Sequence, residues 1–128
     1  MATLKSGGYE DLLVWQRGVA VAKRIYRLTK SFPREELYGL TSQMRRAATS
    51  IPSNVAEGQA RHTTKEFIRF ISNAEGSLAE LATQLHIAAE LGYCNGNDLT
   101  DVRTDLVELR RMLNALRRKL TSKITSAL

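Results

Sequence analysis

The stretch that decides the fold is residues 98–120, DLTDVRTDLVELRRMLNALRRKL. Its apolar residues recur at alternating steps of three and four: Leu99, Val102, Leu106, Leu109, Leu113, Leu116 and Leu120. This heptad spacing places them on one face of an α-helix, as in helices that pack against other helices. Asn97 or Asp98 is a suitable N-cap, and the pattern stops at the following TSKITSAL. We therefore predict a helix over about residues 98–120, with a frayed end beyond it.

A second segment with the same periodicity precedes it. Thr63 or Thr64 is a suitable N-cap, and Glu66 follows Thr63 by three residues, the spacing of a capping box. Gly92 is a common residue just after a helix end. The apolar stripe between them comprises Phe67, Ile71, Ala74, Leu78, Leu81, Leu85 and Ala88. These signals predict a helix over about residues 64–91.

Two further amphipathic segments occupy the N-terminal half, over about residues 10–30 and 34–58. The apolar positions of the first are Leu12, Val14, Trp15, Val19, Val21, Ala22, Ile25, Tyr26 and Leu28. Those of the second, which begins after Pro33, are Leu37, Leu40, Met44, Ala47, Ala48, Ile51 and Val55. Pro52 lies inside the second pattern, and because the apolar period continues past it we expect a kink rather than a break.

Four amphipathic helices with short connections predict an all-α fold, an antiparallel up-down-up-down four-helix bundle. The 128 residues fit one domain, and a hydrophobic fraction of 43% is enough for one core. The lone Cys94 allows no intrachain disulfide. The N-terminus carries no apolar signal stretch and no segment is apolar enough to span a bilayer, so we expect a cytoplasmic protein without a membrane partner.

The residue pattern offers little for catalysis. A di-iron bundle would place Glu three residues before His, but His62 and His86 have Gln59 and Thr83 there. Cysteine and histidine are too sparse for a zinc site, and nothing in the local sequence supplies a base for Cys94. We therefore expect no enzyme activity, no metal and no cofactor.

The positive charge is concentrated on the first and fourth helices. The net charge is +6 and the isoelectric point about 9.8, values that favour anionic partners. Because the first and last helices of such a bundle are neighbours, these residues predict a basic stripe that contacts RNA or DNA phosphates. The alternative is a solvated face. The residues assigned to this stripe are Arg17, Arg24, Arg27, Arg110, Arg111, Arg117, Arg118 and Lys119.

The second helix is richer in polar residues than a bundle needs. We expect a structural or interface network there, formed by Gln43, Arg45, Arg46, Asn54 and Glu57. In one form of it, Asn54 and Glu57 satisfy backbone groups around the proline. The alternative is a ligand-binding pocket around Arg45, Asn54 and Glu57.

This helix also carries a recognisable signature. Tyr38-Gly39-Leu40, Gln43, Arg45-Arg46-Ala47, Ser50-Ile51-Pro52-Ser53-Asn54 and Glu57-Gly58 resemble the 23S rRNA-intervening sequence protein family, also called the S23 or four helix bundle family. Leu13-Val14-Trp15-Gln16 before it and Gly76-Ser77-Leu78-Ala79-Glu80-Leu81 after it agree with that family. The resemblance covers about residues 9–120.

The resemblance implies the same bundle fold and no established enzymatic activity. A related bundle, the accessory variability determinant of diversity-generating retroelements, forms a five-membered ring with a basic surface and binds nucleic acid and a reverse transcriptase. By that likeness we expect a homo-oligomer, specifically a homopentamer. The leading hypothesis is a non-catalytic, nucleic-acid-binding bundle, and the alternative is a scaffold whose partner is a protein. In any such assembly, Trp15, Ile68 and Met112 belong either to subunit contacts or to the core.

Overall fold

The computed structural model describes residues 8–127 and contains helices but no β-strand in that range. Two short 3-10 turns, Tyr9–Asp11 and Arg34–Glu36, precede the first and second helices. The four helices are α1 (Leu13–Thr29), α2 (Leu40–Gln59), α3 (Thr64–Glu90) and α4 (Gly96–Ala127).

Each helix packs against the next one in the chain, and α1 closes the bundle against α4. Along the α1–α2 interface the residue numbers run in opposite directions: Gly18 meets Pro52, whereas Thr29 meets Arg45. The connections between α2 and α3 and between α3 and α4 are too short to reach back along a helix, so these pairs are antiparallel as well. The predicted four-helix bundle is confirmed.

The core follows the predicted stripes closely. In α4 every heptad residue is buried except the half-buried Leu116. Trp15, Ile68 and Met112 are partly buried and pack against the core. Leu37 was expected in the core of α2 and is instead 46% exposed, because it precedes the helix. The largest fully buried side chains are Ile25, Met44, Ile51, Ile71, Leu81, Leu85, Leu109 and Leu113.

The second helix begins at Leu40, later than the predicted start near residue 34. Its first N–H group is capped by a side chain four residues earlier: the backbone N–H of Leu40 donates to Glu36 Oε1 at 3.1 Å. Gly39 leaves room for that carboxylate, since a Cβ there would lie 2.8 Å from Oε1. Tyr93, in the α3–α4 connection, donates its hydroxyl to Glu36 Oε2 at 2.9 Å, and this bond, together with burial, raises the pKa of Tyr93.

The first helix also starts later than predicted, and the fourth ends later. Residues 9–11 form a 3-10 turn, and α1 begins at Leu13. The frayed end expected after Leu120 is wrong, because α4 continues to Ala127. Within its last turns Ile124 is half-buried.

Pro52 lies inside a continuous α2 and does not break it. Its ring is buried against α1, where a Cβ on Gly18 would lie 3.3 Å from Pro52 Cβ. Asn54, two residues after the proline, donates its Nδ2 to the carbonyl of Ser50, two residues before it, at 2.8 Å. Glycine on α1 therefore gives the proline ring its space, and side-chain amides add hydrogen bonds to the nearby backbone.

Two helical glycines provide a matched test of this packing. A Cβ on Gly58 would lie 2.7 Å from Phe70 Cβ, whereas a Cβ on Gly76 meets nothing within 4 Å. We expect Gly58→Ala to lower the free energy of unfolding by about 1–3 kcal/mol through overpacking. Gly76→Ala should raise it by about 0.5–1 kcal/mol through reduced backbone entropy. Urea denaturation of the two variants measures both, and equal effects would contradict the close α2–α3 approach.

Candidate nucleic-acid interface

On α1, two of the three arginines assigned to the predicted basic edge are paired with carboxylates. Arg24 Nη1 lies 2.6 Å from Asp105 Oδ2, and Arg17 Nη1 lies 3.9 Å from Glu108 Oε1. All four side chains are more than a third exposed, so these pairs add little stability. They do cancel charge where the sequence predicted an uninterrupted positive stripe.

Arg27 is also placed beside acidic residues. It lines a cleft of about 240 Å³ between α1 and the start of α4, together with Arg24, Asp98 and Asp101. The carboxylates of the first half of α4 thus face the arginines of α1. On the α1 side of the predicted stripe, the positive charge is therefore compensated by acidic residues of α4.

The second half of α4 is different. Residues 109–127 contain no Asp or Glu. Five of its cations are exposed and have no carboxylate within 4 Å in the part of the chain that the structure describes. We call them the basic segment of α4: Arg110, Arg111, Arg118, Lys119 and Lys123.

Arg117 stands apart from that segment. Its Nε donates to Glu75 Oε1 of α3 at 2.7 Å, and the Glu75 side chain is only 19% exposed. Arg117, which the sequence assigned to the basic stripe, is therefore paired with a carboxylate of α3. Its guanidinium joins α3 to α4, and only its neighbours remain available to a ligand.

The face of α3 next to the basic segment is small and uncharged. Ser72, Gly76, Ala79 and Thr83 follow helical spacing and are all exposed. Because α3 and α4 run antiparallel and are joined at Glu75 and Arg117, this row lies level with the basic segment.

The polar residues of α2 do not form one network. Arg45 Nε donates to Thr29 Oγ1 at 2.9 Å, and its guanidinium carbon lies 4.7 Å from the centre of the Tyr26 ring. Arg45 also donates to the Tyr26 carbonyl at 3.4 Å, which lies in the last turn of α1, where carbonyls lack an intrahelical N–H partner. Arg45 therefore caps α1 and anchors it to α2.

The other members of this set make separate contacts. Arg46 reaches Ser42 Oγ at 3.4 Å, and Glu57 lies 3.7 Å from Arg61. Gln43 and Arg46 line a groove of about 210 Å³ together with Ser50 and Glu80, and neither Arg45 nor Glu57 is among its lining residues. The alternative of a single ligand pocket around Arg45, Asn54 and Glu57 has no geometric support.

The remaining candidate residues are placed as follows. His62 and His86 are exposed, and Cys94 is buried, which raises the pKa of its thiol. Between residues 8 and 127 no three potential metal ligands lie close enough to hold one ion. Within the same residues, no helix combines the length and the apolar character needed to cross a bilayer.

Sequence reasoning missed one group, at the α2–α3 turn. The guanidinium carbons of Arg61 and Arg69 lie 4.7 and 5.0 Å from the centre of the Phe70 ring. Both arginines are exposed, whereas Phe70 is 7% exposed. Only the adjacency of Arg69 and Phe70 is visible in the sequence, because Arg61 reaches the ring through the fold.

Comparisons with known proteins agree on family and fold. A family model described as 23S rRNA-intervening sequence protein matches residues 10–115. A solved structure from Bacteroides thetaiotaomicron, a protein of unknown function from the S23 ribosomal protein family, superposes with a TM-score of 0.76 at 21% identity. The match covers 83% of this chain and 96% of that one. No curated protein matches the sequence.

Two adjacent arginines of α4 differ in their contacts: Arg117 is bound to Glu75, whereas Arg118 is exposed and has no carboxylate of the described residues within 4 Å. We expect Arg117→Gln to lower the free energy of unfolding by about 1 kcal/mol, because it breaks the bond to the poorly exposed Glu75. Arg118→Gln, one residue on, should change it by less than about 0.5 kcal/mol. Both variants lose one charge, so net charge is matched. Equal costs in urea denaturation would contradict this division of roles.

Proposed function

The chain belongs to the 23S rRNA-intervening sequence protein family, and we propose that it is a non-catalytic, homo-oligomeric bundle that binds RNA or DNA through backbone phosphates. The observation that carries the proposal is the basic segment of α4. Five exposed cations lie there on a stretch of helix without a single acidic residue.

The spacing of these cations suits a phosphate backbone. Arg111 and Arg118 are seven residues apart and lie on the same side of α4, which separates them by about 10.5 Å along the helix axis. One strand of a DNA duplex advances about 3.4 Å per phosphate, so the two guanidiniums span about three phosphates. Contacts of this kind bind without reading sequence.

The charge distribution also favours this segment over the rest of the surface. On α1 the arginines face Asp105 and Glu108, whereas on α4 only Arg117 has such a partner. A polyanion approaching the second half of α4 therefore meets five exposed cations with no carboxylate of the described residues within 4 Å. Long-range attraction steers association toward such a patch.

The homo-oligomeric part of the proposal is supported by the opposite end of the bundle. Tyr38 is 93% exposed and lies beside Leu37, just before α2. Five of the seven exposed large apolar side chains of the described residues lie at this end: Tyr26, Leu37, Tyr38, Ile87 and Leu91. Exposed apolar surface of this kind marks contact sites. The five-membered ring implied by the family likeness is the specific form of this proposal.

Nucleic-acid binding is tested with a labelled RNA duplex and a DNA duplex of the same sequence, titrated between about 50 and 200 mM salt. We expect binding that weakens steeply with salt. The triple variant Arg110→Gln, Arg111→Gln, Arg118→Gln should lower the slope of log K against log salt by about 3, roughly one for each lost phosphate contact.

The matched control removes three exposed cations from α1, as Lys23→Gln, Arg27→Gln and Lys30→Gln. It has the same net charge as the α4 triple variant and should keep the wild-type slope. Absence of binding by the wild type at the lowest salt would refute the proposal and favour the protein-partner scaffold. Equal loss in both triple variants would refute the assignment to α4.

Oligomerisation is tested by measuring the mass of the purified protein in solution by light scattering. We expect a multiple of the 14.3 kDa chain, and five copies if the ring forms. The double variant Leu37→Ser, Tyr38→Ser should shift the protein toward the monomer while its helical circular dichroism is unchanged. The control Leu13→Ser, an exposed position outside this end, should keep the wild-type mass. A monomeric wild type would contradict the proposal.

A further inference from the structure

The group at the α2–α3 turn has an unusual composition. Phe70 is buried, yet it lies outside the main apolar core. Gly58 lets it pack directly onto the end of α2, since a Cβ there would lie 2.7 Å from Phe70 Cβ. The cover over its ring is provided by Arg61 and Arg69. Their guanidiniums are thus held on a fixed apolar base while remaining exposed.

The two cations are close enough to repel each other. With distances of 4.7 and 5.0 Å to one ring centre, their guanidinium carbons are separated by no more than 9.7 Å, the sum of the two. That is within the Debye length of about 8–10 Å at ordinary salt. Glu57, 3.7 Å from Arg61, offsets one of the two charges. A bound anion would offset the other.

This group lies at the same end of the bundle as the basic segment of α4. The bond between Arg117 and Glu75 fixes the level of α4 against α3. Arg69 is six residues before Glu75 and Lys123 is six residues after Arg117. Because the helices are antiparallel, Arg69 on α3 and Lys123 on α4 lie at about the same level along the bundle. The exposed Lys65, one turn closer to the start of α3, adds a cation at this same end.

We infer that the phosphate-binding surface continues from α4 around this end of the bundle, and that Arg61 and Arg69 bind a further phosphate of the same nucleic acid. The inference rests on the proposed function. Phe70 acts as a positioning residue, because its ring holds both guanidiniums in place before the ligand arrives. Arginines held in this way lose less side-chain entropy on binding than free ones.

The test uses the full chain and the same labelled RNA duplex across the same salt series. The double variant Arg61→Gln, Arg69→Gln should lower the slope of log K against log salt by up to about 2. The matched double variant Lys30→Gln, Arg34→Gln removes two exposed cations at the opposite end and should leave the slope unchanged. A wild-type slope for the first variant, or an equal fall for both, would overturn the inference.

Two further variants distinguish positioning from charge. Arg61→Lys with Arg69→Lys keeps both charges, so it should retain the salt slope while weakening binding several-fold, because an ammonium does not stack on the ring as a guanidinium does. Phe70→Leu should do the same, with thermal unfolding checking that the bundle is intact. If both bind as tightly as the wild type, the ring has no positioning role. A wild type that binds no nucleic acid would instead refute the proposed function itself.

Discussion

The close approach of α2 and α3 at their shared turn is the constraint on which the candidate surface depends. Gly58 has no side chain, so Phe70 packs directly against the α2 backbone. That contact sets how the two helices meet, and a hydroxyl pair between Ser50 and Ser77 continues the interface further along. It also brings Arg61, at the end of α2, over a ring on α3. One missing Cβ therefore determines both the packing of the turn and the position of two cations.

The alignment of the helices along one another then determines which cations are paired with a carboxylate and which are not. Placing α1 beside the first half of α4 sets Arg24 against Asp105 and Arg17 against Glu108. The second half of α4 has only Glu75 of α3 as a close carboxylate partner, and Arg117 occupies it. The net charge of +6 is thus unevenly compensated over the surface. Composition alone suggests an anionic partner, whereas the fold shows which cations of the described residues have no carboxylate within 4 Å.

Local patterns in the sequence were enough for α3 and α4, because heptad spacing and the Thr63 cap depend on nearby residues. The cap accepts a hydrogen bond from the Glu66 N–H as predicted. Local patterns did not predict the start of α2. There the capping group is the Glu36 carboxylate, which also accepts a hydrogen bond from Tyr93 in the α3–α4 connection. Ion pairs such as Arg117 with Glu75 also require the interhelical register. The sequence therefore predicted which residue types lie on the candidate basic surface, but not which of its cations are paired with a carboxylate.

One end of the bundle exposes apolar side chains and the other exposes cations. In the proposed assembly, this difference lets individually weak phosphate contacts add up to higher affinity. The apolar side chains around Tyr38 lie at one end, while the cations of α4 and the α2–α3 turn lie toward the other. In the proposed assembly, contacts through the apolar end leave every basic end free. Each subunit then offers a few salt-sensitive contacts, and several subunits on one strand act together through effective concentration. Affinity would come from the number of subunits engaged, so a single bundle has no need of deep pockets or base-specific contacts.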